Sequence, residues 1–159
     1  MLNNKFLFIA ATLVAMSGCG KNFEGRYEGV EINSANSYYP SSATMNLKQD
    51  GDLVSGDYTV QRQQTGTVTY RLTARAEKSD TLEGVQLTVQ PTAGNTTYGQ
   101  MGYMGSYSAC TYLGGTLSAP EGKQITGSIS QGGVAANPQY QQYGSMCSFN
   151  LNLTKVSDK

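Results

Sequence analysis

Apolar and polar residues alternate along most of the chain after residue 22, and a period of two is typical of half-buried β-strands. The clearest run places Val68, Tyr70 and Leu72 on one face and threonine or arginine at the positions between them. We find no stretch with the 3.6-residue apolar period of a helix. The pattern predicts eight strands, near residues 23–33, 42–49, 53–61, 65–76, 81–90, 108–118, 123–131 and 145–155.

The connections between these strands predict how the strands are arranged. The second, fourth and sixth are short and rich in turn residues, as in Asp50-Gly51, whereas the first, fifth and seventh are long and rich in Tyr, Gly, Gln, Asn and Ser. In an up-and-down meander, alternate connections fall at the same end, so the short turns share one end and the long loops share the other. Eight strands suffice to close a small barrel with a filled interior. We therefore predict an all-β fold, an eight-stranded antiparallel up-and-down barrel.

Two glycines stand where the alternation slips by one residue. These are Gly29 in the first strand and Gly84 in the fifth. A β-bulge or a sharp bend shifts the alternation by one residue, and glycine adopts the backbone conformations that bulges require. We therefore predict a bulge or bend at each position.

The first nineteen residues have the order of a secretory signal. Lys5 precedes the apolar run 6–16, which is too short to span a bilayer, and Met16-Ser17-Gly18-Cys19 resembles the bacterial lipobox. The resemblance implies a signal peptide at residues 1–18, a lipidated tether at 19–22 beginning with Cys19, and one barrel domain at 23–156. It implies the membrane as a partner through that lipid. Gly20 follows the cysteine, which by the family's sorting rule implies the outer membrane, with the periplasmic or surface face left open.

Composition limits the kinds of binding and catalysis that we expect of the domain. The formal net charge is +0, so no overall field favours nucleic acid, and the chain has no histidine, the commonest general base and metal ligand. Glu24 and Glu28 share a strand face and Glu31 points elsewhere, so we favour a solvated first strand over a glycosidase-type carboxylate pair. We expect no enzyme activity, no cofactor and no metal.

Cys110 and Cys147 remain after lipidation of Cys19, and export places both in an oxidising compartment. We predict a disulfide between them, with two free buried thiols as the alternative. Because next-nearest strands lie nearly 10 Å apart, the bridge requires bent strand ends or a later start of the sixth strand.

Two further resemblances bear on function. Residues 23–27, Phe-Glu-Gly-Arg-Tyr, resemble the first strand of lipocalin-like and avidin-like barrels, with Tyr27 in place of the family tryptophan. A lipid-anchored barrel with one disulfide is also similar to the membrane-bound inhibitors of C-type lysozyme. The nearest match to their inhibitory motif is Ser55-Gly56-Asp57-Tyr58, in which Asp57 stands where that family has a positive charge. A small outer-membrane β-barrel has the same arrangement of turns and loops and is a third interpretation.

The long connections concentrate tyrosine at one end of the predicted barrel. Tyrosine offers a large amphipathic contact area at low conformational cost, and the surrounding Gly, Ser, Asn and Gln supply adaptable hydrogen bonds. We therefore expect a non-catalytic binding module whose partner, an envelope protein or a small ligand, contacts this end. Solvated inert loops, or tyrosines that plug the barrel, are the alternatives. The tyrosines predicted to bind are Tyr38, Tyr39, Tyr98, Tyr103, Tyr107, Tyr140 and Tyr143.

Overall fold

A computed structural model describes residues 22–34, 36–63, 66–77, 80–90, 110, 112–131 and 147–158. Eight antiparallel strands form a closed barrel in which each strand pairs with its neighbours in sequence and β8 closes onto β1, as the sequence predicts. The strands are β1 Gly25–Asn33, β2 Asn36–Asp50, β3 Leu53–Arg62, β4 Gly66–Glu77, β5 Thr81–Val89, β6 Tyr112–Ser118, β7 Gln124–Ser130 and β8 Ser148–Ser157. A short 3-10 helix, Pro120–Gly122, connects β6 to β7.

The inward side chains of all eight strands pack into one apolar cluster. Apolar positions in the sequence pattern are mostly buried and polar ones are mostly exposed. In β4, for example, Tyr70 and Leu72 are buried, whereas Arg71 and Thr73 are exposed. Burial of each large apolar side chain contributes roughly 1.5–3 kcal/mol, so this cluster is the main source of stability. The outward faces carry charged, hydroxyl and amide side chains.

The two ends of the barrel differ in their connections, and we name them for use below. The base is the end at residues 22–24, 51–52, 80 and 119–123; the mouth is the end where β1, β3, β5 and β7 finish. The chain enters the barrel at the base, where Phe23 is buried. Among the residues that the structure describes, no helix is both long and apolar enough to cross a bilayer.

The first connection is shorter than the sequence indicates. We expected Tyr38 and Tyr39 in a long loop, but β2 begins at Asn36, which pairs with Asn33 across a tight turn. Glu31 then pairs with Ser41, so four residues of β2 lie opposite the single residue Ile32. The prediction of a loop was wrong because these residues form a wide bulge in a continuing hairpin, which still lies at the mouth.

Of the two predicted slips, one is confirmed. The register shifts on both sides of Gly84, and its φ of 58° is a left-handed conformation that favours glycine. At Gly29 the prediction was wrong, because Gly29 pairs regularly with Ala43 and Leu153. A side chain there would instead collide with the carbonyl oxygen of Asn152, so Gly29 is required for close approach of β1 and β8.

The disulfide between Cys110 and Cys147 is confirmed, with 5.5 Å between the two Cα atoms. The bridge avoids the wide spacing of next-nearest strands because neither cysteine lies in a strand. β6 begins only at Tyr112 and β8 only at Ser148. The later start of the sixth strand is therefore the arrangement that permits the bond.

Candidate functional site at the barrel mouth

A buried ion pair lies across the inside of the mouth. The Arg62 Nε lies 2.7 Å from Glu31 Oε1, and the Arg62 Nη2 lies 2.9 Å from Glu31 Oε2. The two side chains are 13% and 2% exposed. Two parallel bonds from a planar guanidinium fix both the distance and the orientation of the carboxylate.

Two tyrosine hydroxyls extend this pair into a network. The Tyr58 hydroxyl donates to Glu31 Oε2 at 2.7 Å. The Tyr70 hydroxyl accepts from Arg62 Nη1 at 3.0 Å and donates to the carbonyl oxygen of Cys110 at 3.1 Å. The network therefore connects β1, β3 and β4 to the residue that forms the disulfide.

Aromatic rings surround the same charges. The Arg62 guanidinium carbon lies 4.2 Å from the centre of the Phe149 ring, within the range of a cation–π contact. The rings of Tyr58 and Tyr70 pack at 5.9 Å between centroids. Arg62 is consequently held by hydrogen bonds on its edges and by a ring against its face.

The electrostatics of the network follow from its burial. Burial raises the pKa of Tyr58 well above its ordinary value, and the negative charge of Glu31 adds to this effect. Burial alone lowers the pKa of Arg62, but the hydrogen bond and charge of Glu31 and the contacts with Tyr70 outweigh it and raise that pKa. Arg62 thus stays charged and Tyr58 stays neutral at physiological pH.

Sequence reasoning missed this network. We interpreted the first strand as solvated, and Glu24 and Glu28 are exposed, but Glu31 is buried. The assumed slip at Gly29 concealed the signal, since Gly25, Tyr27, Gly29 and Glu31 continue one inward alternation. A carboxylate on an inward position predicts a buried partner, and Arg62 at the end of β3 is placed to supply it.

The predicted tyrosines are covered only in part by the described residues. Tyr39 lies on the bulge of β2 at the mouth and is 60% exposed. For Tyr38 only its position in β2 is described. The other predicted binding tyrosines, Tyr98, Tyr103, Tyr107, Tyr140 and Tyr143, lie outside the described residues, as does the lipidation residue Cys19.

The motifs behind the family resemblances lie within strands. Ser55-Gly56-Asp57-Tyr58 is the middle of β3, and Tyr58 is buried in the mouth network, so this placement does not support an exposed lysozyme-binding motif. Tyr27 points into the base, where its hydroxyl lies 2.8 Å from the carbonyl oxygen of Gly122 and 3.1 Å from that of Phe23. The Lys155 Nζ lies 5.8 Å from the centre of the Tyr27 ring.

Comparisons with known proteins identified no similar protein. No family model matches the chain, and neither the curated proteins nor the solved structures contain a match. Within the described ranges, no group of three or more acidic, cysteine or histidine side chains could hold a metal ion.

Proposed function

We propose that this protein is a lipid-anchored lipoprotein of the bacterial envelope that acts as a non-catalytic binding module. The lipid on Cys19 holds it at the outer membrane, and the partner contacts the tyrosine-rich rim at the mouth. The partner is an envelope protein or a small ligand. The protein carries no cofactor in this proposal.

The construction of the mouth is the observation that carries the proposal. β5 and β7 finish at this end and β6 and β8 begin there, and Cys110 and Cys147, which shortly precede β6 and β8, are covalently joined. The Glu31–Arg62 pair lies inside the mouth, and the Tyr70 hydroxyl links it to the carbonyl oxygen of Cys110. Recognition loops bind more tightly when their ends are held by a rigid scaffold, because less freedom is lost on binding.

The chemistry of the described residues favours binding over catalysis. Glu31 is the buried carboxylate, and both of its oxygens already accept hydrogen bonds from Arg62 or Tyr58. A general acid or base must be able to change its protonation state within reach of a substrate. Glu31 is instead committed to its hydrogen bonds with Arg62 and Tyr58.

The position of the tether supports the orientation. Asn22 is three residues after Cys19, and Phe23 is already buried at the base. A tether of this length keeps the base close to the bilayer and leaves the mouth facing away. The polar outward faces of the strands favour an aqueous surrounding for the whole domain.

The rim, meaning the seven tyrosines predicted to bind, is tested by replacing tyrosine with serine at residues 98, 103, 140 and 143. Tyr39→Ser is a second variant. Capture of partners from envelope extract should fall at least about tenfold, while the melting temperature changes by only a few degrees, as expected for surface contacts. Leu53→Ser is the matched control, because Leu53 is also 60% exposed but lies at the base.

Three outcomes would contradict the proposal. The first is unchanged capture by the rim variants, which would identify the loops as inert. The second is an equal loss of capture by Leu53→Ser. The third is a large loss of stability in the rim variants, which would identify the tyrosines as a plug of the barrel rather than as a contact surface.

A further inference from the structure

The outer wall of the barrel has a charged part and a neutral part. Each of β1 to β5 presents at least one charged side chain outward, namely Glu28, Lys48, Asp57, Arg71 and Glu83 in strand order. On β6, β7 and the part of β8 up to Thr154, the outward residues are Tyr, Gly, Ser, Thr, Asn and Gln. We call this second part the neutral face.

Amide and hydroxyl groups form paired contacts on the neutral face. The Ser128 hydroxyl donates to Asn150 Oδ1 at 2.5 Å, and the Gln124 amide nitrogen donates to Asn152 Oδ1 at 2.9 Å. Asn150 and Asn152 are exposed and lie on the same outward face of β8. Because a side-chain amide has two donor hydrogens and an oxygen with two acceptor positions, each of these side chains retains capacity for a ligand.

An aromatic ring stands at the mouth end of the same face. Tyr112 begins β6 and is 53% exposed, in line with the outward residues Gly114 and Thr116. The pairing register sets Asn150 level with Thr116, four residues along β6 from Tyr112. A ligand that both stacks on the ring and bonds to the amides therefore has to be an extended chain.

We propose that the neutral face binds an uncharged, hydroxyl-rich glycan chain. Burying a charge without a counter-charge is costly, so a surface for a neutral polar ligand gains from having no charged side chain. Each sugar hydroxyl both donates and accepts, which matches amide and hydroxyl partners, and the apolar face of a sugar ring stacks on an aromatic ring. An acidic glycan or an anionic lipid would find no cation among these outward positions.

The probes are neutral hexasaccharides of glucose and of N-acetylglucosamine, titrated against the purified full-length chain by saturation-transfer NMR and calorimetry. Asn152→Asp and Asn150→Asp are the informative variants, because the substituted carboxylate can still accept the hydrogen bonds from Gln124 and Ser128. The variants therefore add a charge with nearly no change in shape. Binding of at least one neutral hexasaccharide should weaken about tenfold or more in each variant, and also in Tyr112→Ala.

Thr73→Asp is the matched control, because Thr73 is an exposed outward residue in the charged part of the wall and its variant should bind as the wild type does. A hexasaccharide of galacturonic acid serves as the charged comparator and should not bind. The proposal is overturned if no neutral hexasaccharide binds at millimolar concentration, if only the acidic one binds, or if the variants of Asn150 and Asn152 bind as tightly as the control. Because the rim residues are unchanged in these variants, the outcome is independent of the function proposed for the mouth.

Discussion

The base and the mouth of the barrel differ in the chemistry of their buried contacts. At the base, Phe23 is buried and Tyr27 shares its hydroxyl proton between two backbone carbonyl oxygens. The nearby Lys155 pairs with Asp158, whose side chain is 83% exposed. At the mouth, the buried contacts are a bidentate ion pair, Glu31 with Arg62, and a disulfide. The buried hydrogen bonds of the base are therefore neutral and its ion pair has an exposed partner, whereas both members of the ion pair at the mouth are largely buried and lie beside a covalent bond.

The difference concerns geometry more than stability. An ion pair taken out of water loses much of its Coulomb energy to desolvation, so an apolar substitute often stabilises a protein as well or better. What a bidentate pair adds is a fixed geometry. Neutral contacts would serve for stability alone, and the more costly construction at the mouth provides the rigid support that the proposed recognition loops require.

The largest effect should come from breaking the buried pair at one side. Arg62→Met leaves the Glu31 carboxylate buried without its counter-charge, and the free energy of unfolding should fall by about 3–5 kcal/mol in chemical denaturation. Arg26→Met is the control, since Arg26 and Glu28 form an ion pair that is 50% and 46% exposed, and its loss should cost at most about 1 kcal/mol. Equal losses in the two variants would show that the mouth pair is no more important than a surface pair.

Removal of the disulfide should have the next largest effect. The double variant Cys110→Ser, Cys147→Ser opens a loop with a sequence separation of 37, and the chain-entropy estimate for that length is about 3–4 kcal/mol. The same loss should follow reduction of the wild type, measured by thermal unfolding with and without a reductant. A melting temperature that does not respond to the reductant would contradict the covalent part of the comparison.

At the base, a single hydroxyl group should have a smaller effect. Tyr27→Phe leaves the carbonyl oxygens of Phe23 and Gly122 without their donor, which should cost about 1–3 kcal/mol. Tyr39→Phe removes the same group from a residue that is 60% exposed, and should change stability by at most about 0.5 kcal/mol. If the two variants are equally stable, the base is held by apolar packing alone.

Alkaline pH should have the smallest effect and should act at both ends. Burial, with the nearby charge of Asp158, raises the pKa of Tyr27 from 10.0 to about 12, and burial and Glu31 raise that of Tyr58. These tyrosines ionise more readily in the unfolded chain, so their contribution is complete below pH 10 and declines as the pH rises through the folded-state values. The melting temperature should be nearly constant below about pH 9.5 and should fall between about pH 9.5 and about pH 10.5, less steeply in Tyr27→Phe. A melting temperature that rises over this interval would contradict the assignment.

The sequence predicts the fold well because its alternation reports burial directly. The eight strands and the Cys110–Cys147 bond follow from period-two patterning and from the oxidising destination that the signal implies. The candidate site was harder to predict, since its residues are brought together by pairing rather than by sequence proximity. Glu31 and Arg62 meet only because β1 and β3 both finish at the mouth, and no local pattern records that meeting.

The bulge at Tyr39 was missed for a related reason. The tyrosines and Pro40 lack regular alternation and so indicate a loop, whereas backbone pairing on both sides keeps them within β2. Composition identifies a segment that does not pair regularly, but it does not distinguish a wide bulge from a free loop.

The assignment of the base to the membrane and the mouth to the partner is tested most directly by measuring which end lies near the bilayer. A fluorophore is attached at Leu53→Cys or at Tyr39→Cys in the lipidated protein on vesicles that contain nitroxide-labelled lipids. The ten residues of β3 span up to about 30 Å, so the two probes lie at clearly different heights. The Leu53 probe should be strongly quenched and the Tyr39 probe should not be, and neither should be quenched in proteins that also carry Cys19→Ala. Stronger quenching at Tyr39 would place the mouth on the membrane and contradict the proposed binding end.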